Sequence, residues 1–143
     1  MVKITPLNNT TDLSTPRRVM KYMLVWCTRG QVVLVVDDKE LRIGPNEVLT
    51  ITSGQYHCFK GREHSGGYIL EFTLDFFCKD QNDIELIFHN GLFCHFGLNE
   101  VIPISKPAFI DTQLQLIADE IKLAPYQYLV SIHARIKLIL VAI

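Results

Sequence analysis

From Tyr22 to Leu74 the sequence breaks into short β-prone runs at intervals of about ten residues, each closed by turn residues. After Lys106-Pro107 the spacing of apolar residues changes from two to about 3.6. No other feature narrows the possible folds as far: a sheet of many short strands comes first and helices follow. Tyr22 to Thr28 turns at Arg29-Gly30 into Gln31 to Val36, a run of four valines and a leucine. Asp37-Asp38-Lys39 connects that run to Glu40 to Ile43, whose apolar residues alternate as in a hairpin. Gly44-Pro45-Asn46 is a strong turn, and Val48 to Thr52, Gln55 to Lys60 and Tyr68 to Leu74 read as further strands. Short antiparallel strands in such numbers favour a closed or sandwiched sheet, because closure removes exposed strand edges.

From Asp75 to Asn99, Phe76, Phe77, Leu86, Ile87, Phe88, Leu92, Phe93 and Phe96 gather around Asn90-Gly91. A crossing with some helix is expected here, then a last strand near Val101 to Ile104. Beyond it Leu114, Ile117 and Ile121 mark one face of a helix, with Asp111 or Thr112 placed to cap its exposed amides. Ala124-Pro125 separates that helix from a second, where Leu129, Ile132, Ile136, Ile139 and Ile143 recur at three- and four-residue spacing and Leu140 widens the stripe. Such stripes must be buried on the sheet, on each other or on a second subunit. The five stripe residues are the candidate dimerisation contacts. Neither Gly nor Pro stops the second helix before Ile143, and the expectation is that a further domain follows.

With 14 basic and 15 acidic residues and a net charge of −1, the chain lacks the positive field that nucleic-acid backbones require. Pro16-Arg17-Arg18 and Lys21 form its one compact basic cluster. The four cysteines, Cys27, Cys58, Cys78 and Cys94, contain no CxxC pair, which argues against a zinc knuckle and fits reduced thiols in a cytoplasmic protein. Pro6, Asn8, Asn9 and Asp12 interrupt any signal-peptide pattern. The apolar run from Leu138 to Ile143 is too short to span a bilayer, so no membrane partner is expected.

A jelly-roll barrel raises the question of metal at its mouth. Gly44-Pro45 and the following His57 are placed much as a cupin enzyme places its first metal-binding segment, yet His57-Cys58-Phe59 lacks the His-x-His such an enzyme needs. His57 is therefore read as a hydrogen-bonding or ligand-contacting residue and not as a metal ligand; no metal or other cofactor is called for. Glu63-His64-Ser65 holds the residue types of a hydrolytic triad, but adjacent side chains rarely point at one centre. No glycine-rich phosphate loop is present, and no catalytic residue is assigned. Tyr22, Trp26, Tyr56, His57 and Tyr68 are the candidate ligand-binding set, because each joins apolar area to a polar tip. Each also has a plain reading as a core or rim residue.

The order of these features resembles the amino-terminal ligand-binding and dimerisation domain of AraC-type transcription regulators. The likeness is carried by Leu24-Val-Trp-Cys-Thr-Arg-Gly30, the hairpin Val-Val-Asp-Asp-Lys-Glu-Leu41, Ile43-Gly-Pro45, Leu49-Thr-Ile-Thr-Ser-Gly54 and His57. It continues through Asp83-Ile-Glu-Leu-Ile-Phe-His-Asn-Gly91 and Ala134-Arg-Ile-Lys-Leu-Ile-Leu140. The resemblance implies a mainly β fold, a cupin-like double-stranded β-helix (jelly-roll) barrel followed by two C-terminal α-helices. It divides the chain into an N-terminal arm (1–18), a barrel sensor (19–106) and a helical dimerisation segment (107–143) that leads to a missing DNA-binding domain. It implies a non-catalytic module that senses a small-molecule effector, such as a sugar or other metabolite, forms a homodimer, and meets DNA only through that other domain. A metal-dependent cupin enzyme and a purely structural dimerisation domain are the alternatives.

Overall fold

The computed structural model describes residues 1–8, 15–61, 64–89, 92–93 and 98–143. The first half contains β1 (Val2–Pro6), β2 (Arg17–Arg18), β3 (Tyr22–Arg29), β4 (Val32–Val36), β5 (Lys39–Ile43), β6 (Glu47–Ile51), β7 (Tyr56–Gly61) and β8 (Gly66–Phe72). Two short helices follow, α1 (Leu74–Phe77) and α2 (Gln81–Phe88), then β9 (Val101–Pro103) and the long helices α3 (Pro107–Leu123) and α4 (Tyr128–Ala142). Local chemistry explains most of these boundaries. Asp37 and Asp38 both have positive φ, 46° and 66°, as a two-residue hairpin turn requires, and Val36 pairs with Lys39 across it. Asp80 accepts a hydrogen bond from the Asp83 amide and so caps α2. Pro107 opens α3, where its missing amide hydrogen costs nothing. Ala124 ends that helix in the left-handed region, and Pro125 prevents its continuation. The cap expected at Asp111 or Thr112 is therefore misplaced: α3 starts earlier, and Asp111 lies inside it.

The strands form two antiparallel sheets, one ordered β1-β8-β3-β6-β9 and the other β2-β7-β4-β5. Strict alternation assigns their faces. Met23, Val25, Leu49, Ile51 and Ile69 of the five-stranded sheet share one core with Val32, Leu34, Val36, Ile43 and Phe59 of the four-stranded sheet. The opposite face of the five-stranded sheet presents Tyr22, Leu24, Trp26, Val48, Leu70 and Phe72 to a second core, filled by residues of all four helices. β3 lies centrally in its sheet, and its run from Tyr22 to Cys27 is buried at every position. The molecule thus has three layers: sheet, sheet, helices.

This arrangement corrects the closed jelly-roll barrel expected from the sequence. Both sheets are open, no ladder joins them among the described residues, and helix and strand occupy roughly equal shares of the chain. The reason lies at the corners. At Gly44-Pro45-Asn46 the chain leaves β5 of one sheet and enters β6 of the other, with Asn46 at φ 61° and its amide bound to the Cys27 carbonyl. Hydrogen bonding therefore restarts in the new sheet instead of continuing across the corner. The edges are blunted in other ways: β2 has two residues, both arginine, and β5 carries Lys39, Glu40 and Arg42.

Within the span read as an arm, β1 pairs along its whole length with β8, and β2 pairs with β7. Asn90-Gly91, Cys94, His95, Phe96 and Glu63 lie outside the described residues. No helix among the described residues is long and apolar enough to cross a membrane.

Candidate functional site

His57 follows a turn that a buried amide network fixes in place. Gln55 Nε2 donates to Asp37 Oδ2 at 2.9 Å and to Asn99 Oδ1 at 2.8 Å, while its Oε1 accepts from Asn99 Nδ2 and the Thr52 amide, both at 2.9 Å. The network ties the β6–β7 turn to the β4–β5 hairpin and to the segment before β9. Satisfied buried networks of this kind hold one geometry. Two residues further, His57 and Phe59 fall on the inner side of β7, their rings edge-on at 6.4 Å.

The imidazole is only 7% exposed, and its Nδ1 has no hydrogen bond of good geometry. An unpaired buried polar atom costs about 1–3 kcal/mol. Register places Arg17 opposite His57, and on the facing sheet Glu71 shares the inward parity of Ile69. Lys21 Nζ lies 4.0 Å from Glu71 Oε1. Burial pushes the His57 pKa below its ordinary value; the Gln55 backbone and the Glu71 carboxylate oppose that fall, and Arg17 adds to it. His57 is consequently neutral at neutral pH. It offers a single hydrogen bond to a polar ligand, with opposite charges nearby.

The other orphaned atoms differ in kind. Asp83 Oδ1 is 3.0 Å from Lys137 Nζ, and Glu120, whose Oε2 is unpaired, accepts through Oε1 from Ser131 and Arg135. Each belongs to an ion pair that already explains the residue. No group of three or more His, Cys, Asp or Glu side chains among the described residues is placed to hold a metal ion.

The remaining candidate ligand residues do not converge on His57. Tyr56 points outward, 54% exposed, with the Arg18 guanidinium 5.5 Å from its ring centroid. Trp26 is fully buried on the helix-facing side and donates from Nε1 to Asp111 Oδ1 at 3.3 Å, fastening β3 to α3. Tyr68 pairs with Trp26 in register, and burial, assisted by the charges of Asp111 and Asp119, pushes its hydroxyl pKa up. Tyr22 stacks on Phe72 and meets Phe93 edge-on, again on the helix-facing side. Sequence reading missed Glu71 and Arg17. Glu71 did carry a signal, a charge at an inward-parity position of an otherwise apolar strand, whereas nothing local points to the pairing of Arg17 with His57.

The stripe read as a dimer contact is divided. Ile132, Ile136 and Ile139 are fully buried in the chain's own core, which they share with Ile110, Leu114 and Ile117 of α3. Ile143 packs at the margin of that core, and Leu129 stays 45% exposed. A different apolar row looks outward on α4: Val130, Leu138 and Val141, 64%, 49% and 69% exposed.

No family model matches the chain, and no curated protein matches it. Among solved structures there is a weak, partial likeness to a cupin 2 conserved barrel domain protein from Leptotrichia buccalis. It has a TM-score of 0.35 and 14% identity, and covers 57% of this chain and 47% of that one. The matched part spans about half of that protein's length.

Proposed function

We propose that this chain is a non-catalytic, small-molecule-sensing and dimerisation module of a cytoplasmic AraC-type transcription regulator, in which a separate domain contacts DNA. The observation that carries the reading is His57, a neutral imidazole on the inner side of β7, only 7% exposed, whose Nδ1 has no hydrogen bond of good geometry. The residue pattern from Leu24 to His57 supplies the link to the regulator family, and the outward row of α4 supplies a surface for a second copy. Effector bound at His57 acts by population shift, which requires different affinities in two arrangements of the paired helices and not binding alone.

Native mass spectrometry of the purified chain tests both halves together. A dimer, with a retained or added small molecule lost in the His57→Leu variant, is the expected result. A monomer at all concentrations that also retains and takes up nothing overturns the reading. A stoichiometric metal ion, found by elemental analysis and accompanied by turnover, would replace it with an enzyme.

A further inference from the structure

We propose that a solvent-open cleft beside the start of β3 is a second binding site, for a small organic amine with an apolar body. The cleft measures ≈ 560 Å³, a volume suited to a small molecule. It lies on the helix-facing side of the five-stranded sheet, the opposite face from His57, and does not depend on the sensing role proposed above.

Met20 and Leu74, 72% and 41% exposed, form apolar walls, and the Cys78 thiol adjoins them. Tyr22 lines the same cleft although its side chain is only 6% exposed. Its ring is fixed by Phe72 and Phe93, at centroid distances of 6.0 and 5.2 Å, so the hydroxyl cannot swing away. That hydroxyl is not among the buried polar atoms left without a hydrogen bond; as part of the cleft wall it offers a ligand a hydrogen bond.

Asp75 decides the charge of the ligand, being the one formally charged side chain among those lining the cleft. The Thr73 hydroxyl, and to a lesser degree the Met1 ammonium, hold its carboxyl below the usual range, so it is an anion at neutral pH. An anionic ligand would be repelled. A neutral one would cover the carboxylate and return no charge. An ammonium offsets the cost. The Met1 ammonium, which donates to Thr73 Oγ1 at 2.8 Å, already counters part of the Asp75 charge. The preference for an amine over its neutral counterpart is therefore modest, about three- to five-fold, as expected of one exposed ion pair.

The test is a ¹H–¹⁵N NMR titration of the whole chain with 2-phenylethylamine, 2-phenylethanol and phenylacetate, which share a body and differ in charge. Saturable shifts confined to residues 20–22, 53 and 73–78 are expected, tightest for the amine and weakest for phenylacetate. Asp75→Asn, at an exposed position, should bring the amine and the alcohol to equal affinity. Tyr22→Phe, which keeps the ring stack, should weaken both by a similar factor. Absence of saturable shifts at these residues overturns the site. Equal binding of amine and alcohol to the unsubstituted chain, or an amine preference that survives Asp75→Asn, overturns the ligand class.

Discussion

A histidine that burial keeps neutral ties the stability of this chain to pH. The folded-state pKa of His57 lies below its ordinary value, so between that lowered value and about 6.5 the unfolded chain binds the additional proton. Stability therefore rises with pH through this window and falls as pH drops below about 6.5 toward the lowered folded value. His57→Leu removes both the titration and the orphaned Nδ1. It should flatten the pH dependence of urea unfolding midpoints and add about 1 kcal/mol near neutral pH; a variant as pH-dependent as the parent would refute the assignment. Asp83 titrates in the opposite sense. Burial alone would push its carboxyl up, but the Lys79 amide, Lys137 and His133 together hold it below the ordinary range. Its Oδ2 lies 3.0 Å from both the Lys79 amide and His133 Nε2, and that same imidazole nitrogen is 2.8 Å from the Phe77 carbonyl. With two acceptors before it, Nε2 carries the proton. The stabilisation is present above the unfolded carboxyl value of about 3.9 and is lost as pH falls through the lower folded value. Asp83→Asn should cost about 2–3 kcal/mol at pH 7, short of the full penalty for breaking a buried pair because Lys137 is partly exposed, and the loss should shrink in acid.

At the level of elements, α4 shows why a periodic stripe is an incomplete guide. Spacing of three and four identifies a helix, and Ile132, Ile136 and Ile139 do lie on one face of it. The same helix is apolar on its other side at Val130, Leu138 and Val141, so periodicity alone could not say which row meets the chain's own core. Packing decides. The isoleucine row joins Ile110, Leu114 and Ile117 of α3 in one core, and each fully buried side chain contributes about 2 kcal/mol. The two rows should therefore respond differently to substitution. Ile136→Ala should lower unfolding stability by about 2–4 kcal/mol through the cavity it leaves. Leu138→Ser with Val141→Ser should leave the unfolding midpoint of the monomer nearly unchanged while weakening self-association in sedimentation velocity. The reverse pattern would return the dimer contact to the isoleucines. Other boundaries were legible because their causes are local: Asp37-Asp38 makes the hairpin, and Ala124-Pro125 divides the helices. Asp111 was misread as a cap because α3 already begins at Pro107; its carboxylate accepts instead from Gln115 in the same helix and from Trp26, 85 positions away.

For the molecule as a whole, short strands and turn residues were readable, but their pairing was not. Nothing near Glu47–Ile51 announces that β6 will bind β3 and β9 and leave β5, and that choice separates two open sheets from a closed barrel. Pairing depends on side-chain complementarity between distant segments, which single-sequence periodicity does not encode. One residue does expose the long-range design. Gly67 of β8 has φ +133°, and a Cβ there would collide with the Trp26 carbonyl oxygen, beside the register shift between Cys27 and Arg29. The β3–β8 ladder is central to the assembly: β8 also carries β1, β3 also carries β6, and their shared face is the floor on which the helices pack. Any displacement of Gly67 should therefore reach both cores. Gly67→Ala combines a backbone conformation that alanine resists with an overpacked contact, and should cost about 3 kcal/mol or more. Because both cores share this ladder, near-UV circular dichroism of Trp26 and far-UV helix signal should be lost in one transition at lower urea. If the tryptophan signal moved alone and the helices kept the parent midpoint, the two cores would be independent and the three layers would not form one cooperative unit.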